Sequence, residues 1–178
     1  VLGASRVANA APDGYTLVMG SSALVVIQAV KPRSMTFDLL KDLTPVTQTA
    51  LAPMVIAASA KAPFHDLRGM IAYAKANPGK LSVGVSPGPG GTAHLTLERM
   101  KQELGFEAVA VPYKGSAPAT LAVLSGEVPV LIDVLSGTAS YFAAGTMRGL
   151  ASLTEHRVSA GVPTIAEAGF PDIAADIW

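Results

Sequence analysis

Cysteine is absent from the 178 residues, which excludes disulfides and thiolate chemistry while leaving the compartment open. An excess of one charge is lacking as well: 13 Lys and Arg stand against 13 Asp and Glu, for a net charge of zero. Nucleic-acid-binding domains carry a basic excess or stripe, so the charge pattern points to no nucleic-acid partner. Long hydrophobic runs are missing too. Half of the residues are hydrophobic, enough for a sizeable core, yet the longest apolar run, 50–60, is interrupted by Pro53 and too short to span a bilayer. No membrane insertion is expected. The opening Val1-Leu2-Gly3-Ala4-Ser5-Arg6 has no charged region followed by an apolar core and does not read as a signal peptide. With no initiator Met and an abrupt stop at Trp178, the chain reads as an internal piece of a longer protein.

Several chemistries lack their residues. The three histidines, His65, His94 and His156, have no metal-ligand spacing. No Gly-Lys-Ser/Thr phosphate loop is present, and no Gly-x-Ser-x-Gly elbow surrounds Ser86 or Ser116. Gly88-x-Gly90-x-x-Ala93 fits a relaxed dinucleotide fingerprint, but the place of the ribose-binding acid holds Pro112 and Tyr113. Neither metal nor cofactor is expected, and nothing supports a hydrolytic triad.

What is present is a glycine-rich stretch, Ser86-Pro87-Gly88-Pro89-Gly90-Gly91-Thr92-Ala93-His94, between a predicted strand over 81–85 and a helix starting near Thr92. Glycine lets backbone approach a ligand closely, and a helix start offers unpaired N–H groups and a favourable dipole for an anion. A loop joining strand to helix with no ligand is the plain alternative. A second loop of the same kind, Pro112-Tyr113-Lys114-Gly115-Ser116-Ala117-Pro118, lies one strand later.

The rest of the chain reads in order. Ala4, Val7, Ala8 and Ala11 predict a helix over 2–11, stopped by Pro12-Asp13-Gly14. Residues 15–19 read as a buried strand, with Gly20, Ser21 and Ser22 at its end, as ligand donors or as a helix cap. Residues 44–60 form one long extended run. Asp66 caps a helix carrying Leu67, Met70, Ile71 and Ala74 on one face. Helix and strand then alternate: a helix with Ala93, Leu97, Met100 and Leu104 in one stripe up to Gly105, a strand over 108–111, a helix to Gly126, a strand over 128–132, a short helix over 137–144, and a strand over 147–152. Strand–helix repeats with short connections predict a parallel α/β sheet. Thr164-Ile165-Ala166-Glu167 has capping-box spacing, with Gly169 closing one or two turns. Asp133 ends a predicted buried strand at the edge where both loops converge; there it needs a backbone, cationic or ligand partner, or else caps the helix near Gly137.

Five stretches carry a resemblance. Ala11-Pro12-Asp13-Gly14-Tyr15-Thr16-Leu17, Gly20-Ser21-Ser22, Gly90-Gly91-Thr92-Ala93-His94, Val111-Pro112-Tyr113-Lys114-Gly115-Ser116-Ala117-Pro118 and Val162-Pro163-Thr164-Ile165-Ala166-Glu167-Ala168-Gly169 resemble, in order along the chain, the Bug/TctC family. These are extracytoplasmic solute-binding proteins of tripartite tricarboxylate transporters. Family members run longer at both ends, and the loop here carries more proline and fewer hydroxyls than their pattern. The resemblance implies a type II periplasmic-binding-protein fold, two α/β lobes with a hinge. One lobe would hold residues 1–58 and 153–178, the other 59–152. It implies a non-enzymatic, periplasmic receptor that takes a small carboxylate and hands it to membrane transporter subunits. A periplasmic sensor with the same lobes, or an enzyme acting on small acids, are the alternatives. The resemblance places the ligand carboxylate on Ser86, Gly90, Gly91, Thr92 and Ala93, with Gly20, Ser21 and Ser22 facing them. Asp133 resembles the acidic position that accepts from a ligand amine or hydroxyl. His94, in the first helical turn, is a further candidate donor to the anion.

Overall fold

The computed structural model describes residues 1–86 and 88–177; Pro87 of the glycine loop and Trp178 lie outside the described residues. Contacts divide the chain into one compact unit over residues 1–51 with Ile177, and a second over residues 52–176. The division thus falls after residue 51, where the resemblance draws its lobe boundary after 58.

The second unit is built on a sheet. Its first strand, β1 (Ala52–Ser59), is buried from Met54 onward. That unbroken burial explains why its sequence is a continuous apolar run instead of an alternating one. After it come α3 (Leu67–Ala76), β2 (Ser82–Val85), α4 (Thr92–Leu104), β3 (Val109–Pro112), α5 (Ser116–Ser125), β4 (Val130–Val134), α6 (Ala139–Ala143) and β5 (Met147–Ser152). Helices α1 (Leu2–Ala8) and α2 (Ser22–Val30) belong to the first unit. The strands lie in the order β3-β2-β4-β1-β5.

The β2–α4–β3–α5–β4 stretch is parallel, as its repeats predict. β1 departs from that expectation: it runs antiparallel to both β4 and β5. The registers Ala58↔Val130 and Val83↔Val130 put the start of β2 at the edge where β1 ends. Residues 60–81 therefore leave that edge and return to it, and a connection that doubles back does not impose the parallel direction of a crossover.

Local signals decide the helices. The Asp66 carboxylate accepts from the Gly69 N–H at 2.7 Å, and Leu67, Met70, Ile71 and Ala74 are the buried face of α3. Asp66→Ala is expected to cost about 1 kcal/mol, a fall of about 2–4 °C in melting temperature for a chain of this size; scanning calorimetry checks it. α4 ends at Gly105 and α5 at Gly126, both left-handed (φ 64° and 89°). Leu104, expected in the α4 stripe, is half-buried, while Thr96 is buried with Ala93, Leu97 and Met100. The capping box forms: Thr164 N–H donates to Glu167 at 2.8 Å, and Glu167 N–H donates to the Thr164 hydroxyl at 3.1 Å. Arg157 also pairs with Glu167, and that bond, with the Thr164 N–H, holds the carboxyl below its usual range. The predicted 137–144 helix splits into a 3-10 turn, Leu135–Gly137, and α6.

In the first unit, α1 forms where expected, stopping at Ala8. The predicted strand over 15–19 does not form. Residues 15–20 make no ladder, and Tyr15, Leu17 and Met19 are exposed. A strand exists only against a partner strand, and residues 15–20 have none among the described residues. The first half of the long extended run, 44–51, is likewise exposed and outside any ladder.

Candidate functional site

Parallel register brings the carboxyl ends of β2, β3 and β4 to one edge. Val85 sits opposite both Pro112 and Ile132, so Ser86, Tyr113 and Asp133 follow in step. Ligands of open α/β sheets collect beyond such strand ends. Two helices start there, α4 after the glycine loop and α5 after Lys114-Gly115.

The glycine loop needs glycine at Gly88 and Gly90, whose φ angles are 53° and 83°. Its first amides are engaged internally. Gly91 N–H donates to the Gly88 carbonyl, and Gly90 N–H donates to His94 Nδ1, each at 3.3 Å. Gly90 and Gly91 therefore shape the loop, and their N–H groups are not free in this arrangement. His94 Nδ1, as an acceptor, cannot also donate to an anion, while Nε2 lies 4.0 Å from Glu98. Gly91 caps α4 and Leu95 N–H already bonds the Gly91 carbonyl. The N–H groups of Thr92, Ala93 and His94 lie in the first turn, before any intrahelical acceptor. Thr92 is half-buried, is not the cap, and its hydroxyl makes no hydrogen bond among the described residues. Ser86 is nearly buried where the loop begins.

Asp133 lies inside β4, one residue before its end. It shares a face with Leu131, whose neighbours are Ala122 and Val123 of α5. Its carboxylate accordingly meets the start of that helix. Oδ1 accepts from the Ser116 hydroxyl and from Val134 N–H, both at 2.8 Å. Oδ2 is buried and has no partner. The residue is 4% exposed. Burial pushes its carboxyl above the usual range, and the bonds from Ser116 and Val134 pull the other way. It does not cap the helix near Gly137.

Ser116 is the neighbour of Asp133 that sequence reasoning missed. Its hydroxyl is spent on Asp133, but its N–H and that of Ala117 are open at the head of α5, because Ala119 N–H takes the Gly115 carbonyl and Pro118 has no N–H. The signal was a serine opening a helix at the edge where a carboxylate ends its strand; the pairing across 17 positions appears only in three dimensions. Gly137 brings the following turn close: a Cβ at this position would lie 3.6 Å from Ser116 Cβ. Tyr113 of the second loop lies against Gly84, and its hydroxyl donates to Glu127 at 2.8 Å. Burial first, then Glu127, pushes that phenol up to about 12.

Gly20, Ser21 and Ser22 belong to the first unit. Ser21 stands at the N-cap of α2 without a side-chain cap bond, and the Ser22 hydroxyl is buried without a partner. Two surface clefts of the second unit lie elsewhere, around Arg68, Lys75 and Phe170 and around Pro78, Lys101 and Phe106. They border the far end of α4, about 15 Å along the helix from its first turn, and hold none of the predicted site residues.

Comparison with known proteins identifies the family and the fold. The profile described as "Tripartite tricarboxylate transporter family receptor" matches residues 1–178. Protein BugT of Bordetella pertussis is 34% identical over 182 residues, covering 100% of this chain and 55% of BugT. Rpa4515 of R. palustris, solved with adipate, is 36% identical with a TM-score of 0.82, covering 99% of this chain and 60% of that one. MatC from Rhodopseudomonas palustris, solved with bound malate, is 28% identical with a TM-score of 0.80, again covering 99% and 60%. The mixed α/β fold is that of solved periplasmic binding proteins. The chain spans about half the length of the curated relatives it matches. Among the described residues no helix is long and apolar enough to cross a membrane.

Proposed function

The chain belongs to the tripartite tricarboxylate transporter receptor family, and on that premise we propose that it is the part of a periplasmic receptor that captures a small carboxylate and delivers it to membrane transporter subunits. The observation that carries the reading is the pair of helix starts at one sheet edge. Thr92, Ala93 and His94 on α4, with Ser116 and Ala117 on α5, turn open N–H groups toward the place where ligands of this fold class collect. The Thr92 hydroxyl adds a side-chain donor.

The holding groups are neutral. Lys114, the cation on the second loop, is exposed. Backbone dipoles hold an anion without a fixed countercharge, which suits a receptor that must also release its ligand. Asp133 completes the proposal as the group that accepts from a hydroxyl or amine on the ligand. Relatives solved with malate and with adipate support dicarboxylates as the ligand class. Gly20, Ser21 and Ser22 remain in the proposal as donors of the first unit, and the lobe division 1–58 with 153–178 and 59–152 as that of the whole protein. The reading contains no catalytic step.

Titration calorimetry on the full-length protein tests it with succinate, glutarate and adipate against the matching diamides. Each hydrogen bond to a charged group is worth roughly 1.5–3 kcal/mol. Replacing a carboxylate by an amide should therefore weaken binding at least about tenfold. Equal affinity for acids and diamides would overturn the proposal.

A further inference from the structure

The surroundings of Asp133 are nearly free of charge. β1, β2, α5 and the turn Leu135–Gly137, which pack around it, contain no titratable residue besides those of β4 itself, where Asp133 stands alone. α4 contributes His94, Glu98, Arg99, Lys101 and Glu103. His94 is engaged with Gly90, Lys101 pairs with Glu98, and Arg99 pairs with Glu103. Arg148 of β5 stands opposite Ala58, at the far end of β1 from Asp133, and donates to the Phe64 and Ala60 carbonyls. On the second loop Lys114 is exposed and Tyr113 is tied to Glu127. Burial is the main influence on the Asp133 carboxyl, with the Ser116 and Val134 bonds acting against it. Beyond Ser152, across β1 from Asp133, follow Glu155, His156 and Arg157, of which Arg157 pairs with Glu167, and among the described residues no ion pair reaches Asp133.

A ligand carboxylate seated at the start of α5 would therefore arrive beside a buried carboxylate that no cation neutralises. The closeness is set by Ser116, whose N–H opens the helix and whose hydroxyl holds Asp133 Oδ1. Two like charges in one poorly solvated place disfavour double ionisation. Two escapes exist: the ligand brings an ammonium or hydroxyl for the unpartnered Oδ2, or Asp133 becomes neutral.

We propose that Asp133 takes up a proton from solvent when the site receives a carboxylate with no donor of its own, and stays ionised when the ligand carries an amine or hydroxyl. The inference rests on the carboxylate-receptor reading above and adds a rule of selection to it. The proton passes from buffer to the Asp133 carboxylate, and no bond in the ligand changes. Binding linked to one proton weakens up to about tenfold per pH unit above the pKa of the free site. Affinity for plain dicarboxylates should thus fall with rising pH, and affinity for their amino counterparts should stay level.

The test is calorimetry of the full-length protein between about pH 5 and 8, in buffers of unlike ionisation enthalpy, which reads the protons taken up per ligand bound. The probes are succinate, glutarate and adipate, with aspartate and glutamate as amino counterparts. Expected is an uptake approaching one proton for the plain acids, little for the amino acids, and loss of the difference in Asp133→Asn. Ser116→Ala removes one of the two bonds that favour the ionised form, so it should move the uptake window to higher pH. That arm decides the matter if Asp133→Asn fails to fold. Equal uptake in wild type and Asp133→Asn, or an unmoved window in Ser116→Ala, overturns the inference and leaves the receptor reading standing. Failure of every probe to bind overturns the receptor reading itself.

Discussion

Thr92→Val should weaken dicarboxylate binding about tenfold to hundredfold and leave the melting temperature nearly unchanged. The substitution removes one hydroxyl and keeps the shape. A lost hydrogen bond to a charged group costs roughly 1.5–3 kcal/mol, which gives that range of affinity. The rival account makes Thr92 a helix cap, with a loss of about 1 kcal/mol in stability and little in affinity. The structure weighs against the rival. Gly91 is the cap of α4, Thr92 is its first helical residue, and the hydroxyl has no hydrogen bond among the described residues. A half-buried hydroxyl without a protein partner, beside the open N–H groups of Ala93 and His94, is available to a ligand. Dissociation constant and melting temperature measured on one preparation separate the two accounts, and a destabilised variant with normal binding would decide for the cap.

The neighbouring glycines make a contrasting case. Gly90 and Gly91 read from sequence as amides for the ligand, but the loop consumes those amides by bonding to His94 and to Gly88. Sequence shows that a loop can reach φ values closed to other residues. It does not show which of the resulting N–H groups turn inward. Helix α4 itself was legible, because its stripe and its Gly105 stop depend on residues within a few positions of one another. The same holds for Asp66 capping α3 and for the reciprocal bonds of Thr164 and Glu167.

What was not legible depends on distant partners. Residues 15–19 have the composition of a buried strand and no ladder, because a strand is a property of two segments. β1 read as one more extended run, and its reversed direction follows from how 60–81 returns across the edge of the sheet. Asp133 was visible as a carboxylate at a strand end. Its bond to Ser116 and its unpartnered Oδ2 come from packing β4 against α5, which no local pattern encodes.

Gly149→Ala should be among the more destabilising single changes in the second unit, although alanine ordinarily suits a strand better than glycine. The β1–β5 register explains why. Ala57 pairs with Gly149 and Ile56 with Ala151, so Leu150 is an extra residue and β5 bulges. Gly149 has no positive φ, so its backbone admits a side chain, and removing glycine should by itself add about 0.4–1 kcal/mol by restricting the unfolded chain. Space decides against it. A Cβ at Gly149 would collide with Val162 Cγ2 and stand 3.0 Å from Cγ1. Val162 cannot withdraw easily. It is 1% exposed, and the residues after it are fixed to β5, where Ser152 N–H donates to the Pro163 carbonyl and Ile165 N–H to the Ser152 carbonyl, each at 2.7 Å. Overpacking of this kind costs about 1–3 kcal/mol, more than the entropic gain, and lowers the melting temperature by about 2–4 °C per kcal/mol. Val162→Ala on the Gly149→Ala background removes the two methyls in the way and should recover part of the loss, so the pair should couple in a double-mutant cycle. Additive losses would show that the bulge, and not the contact with Val162, requires glycine there.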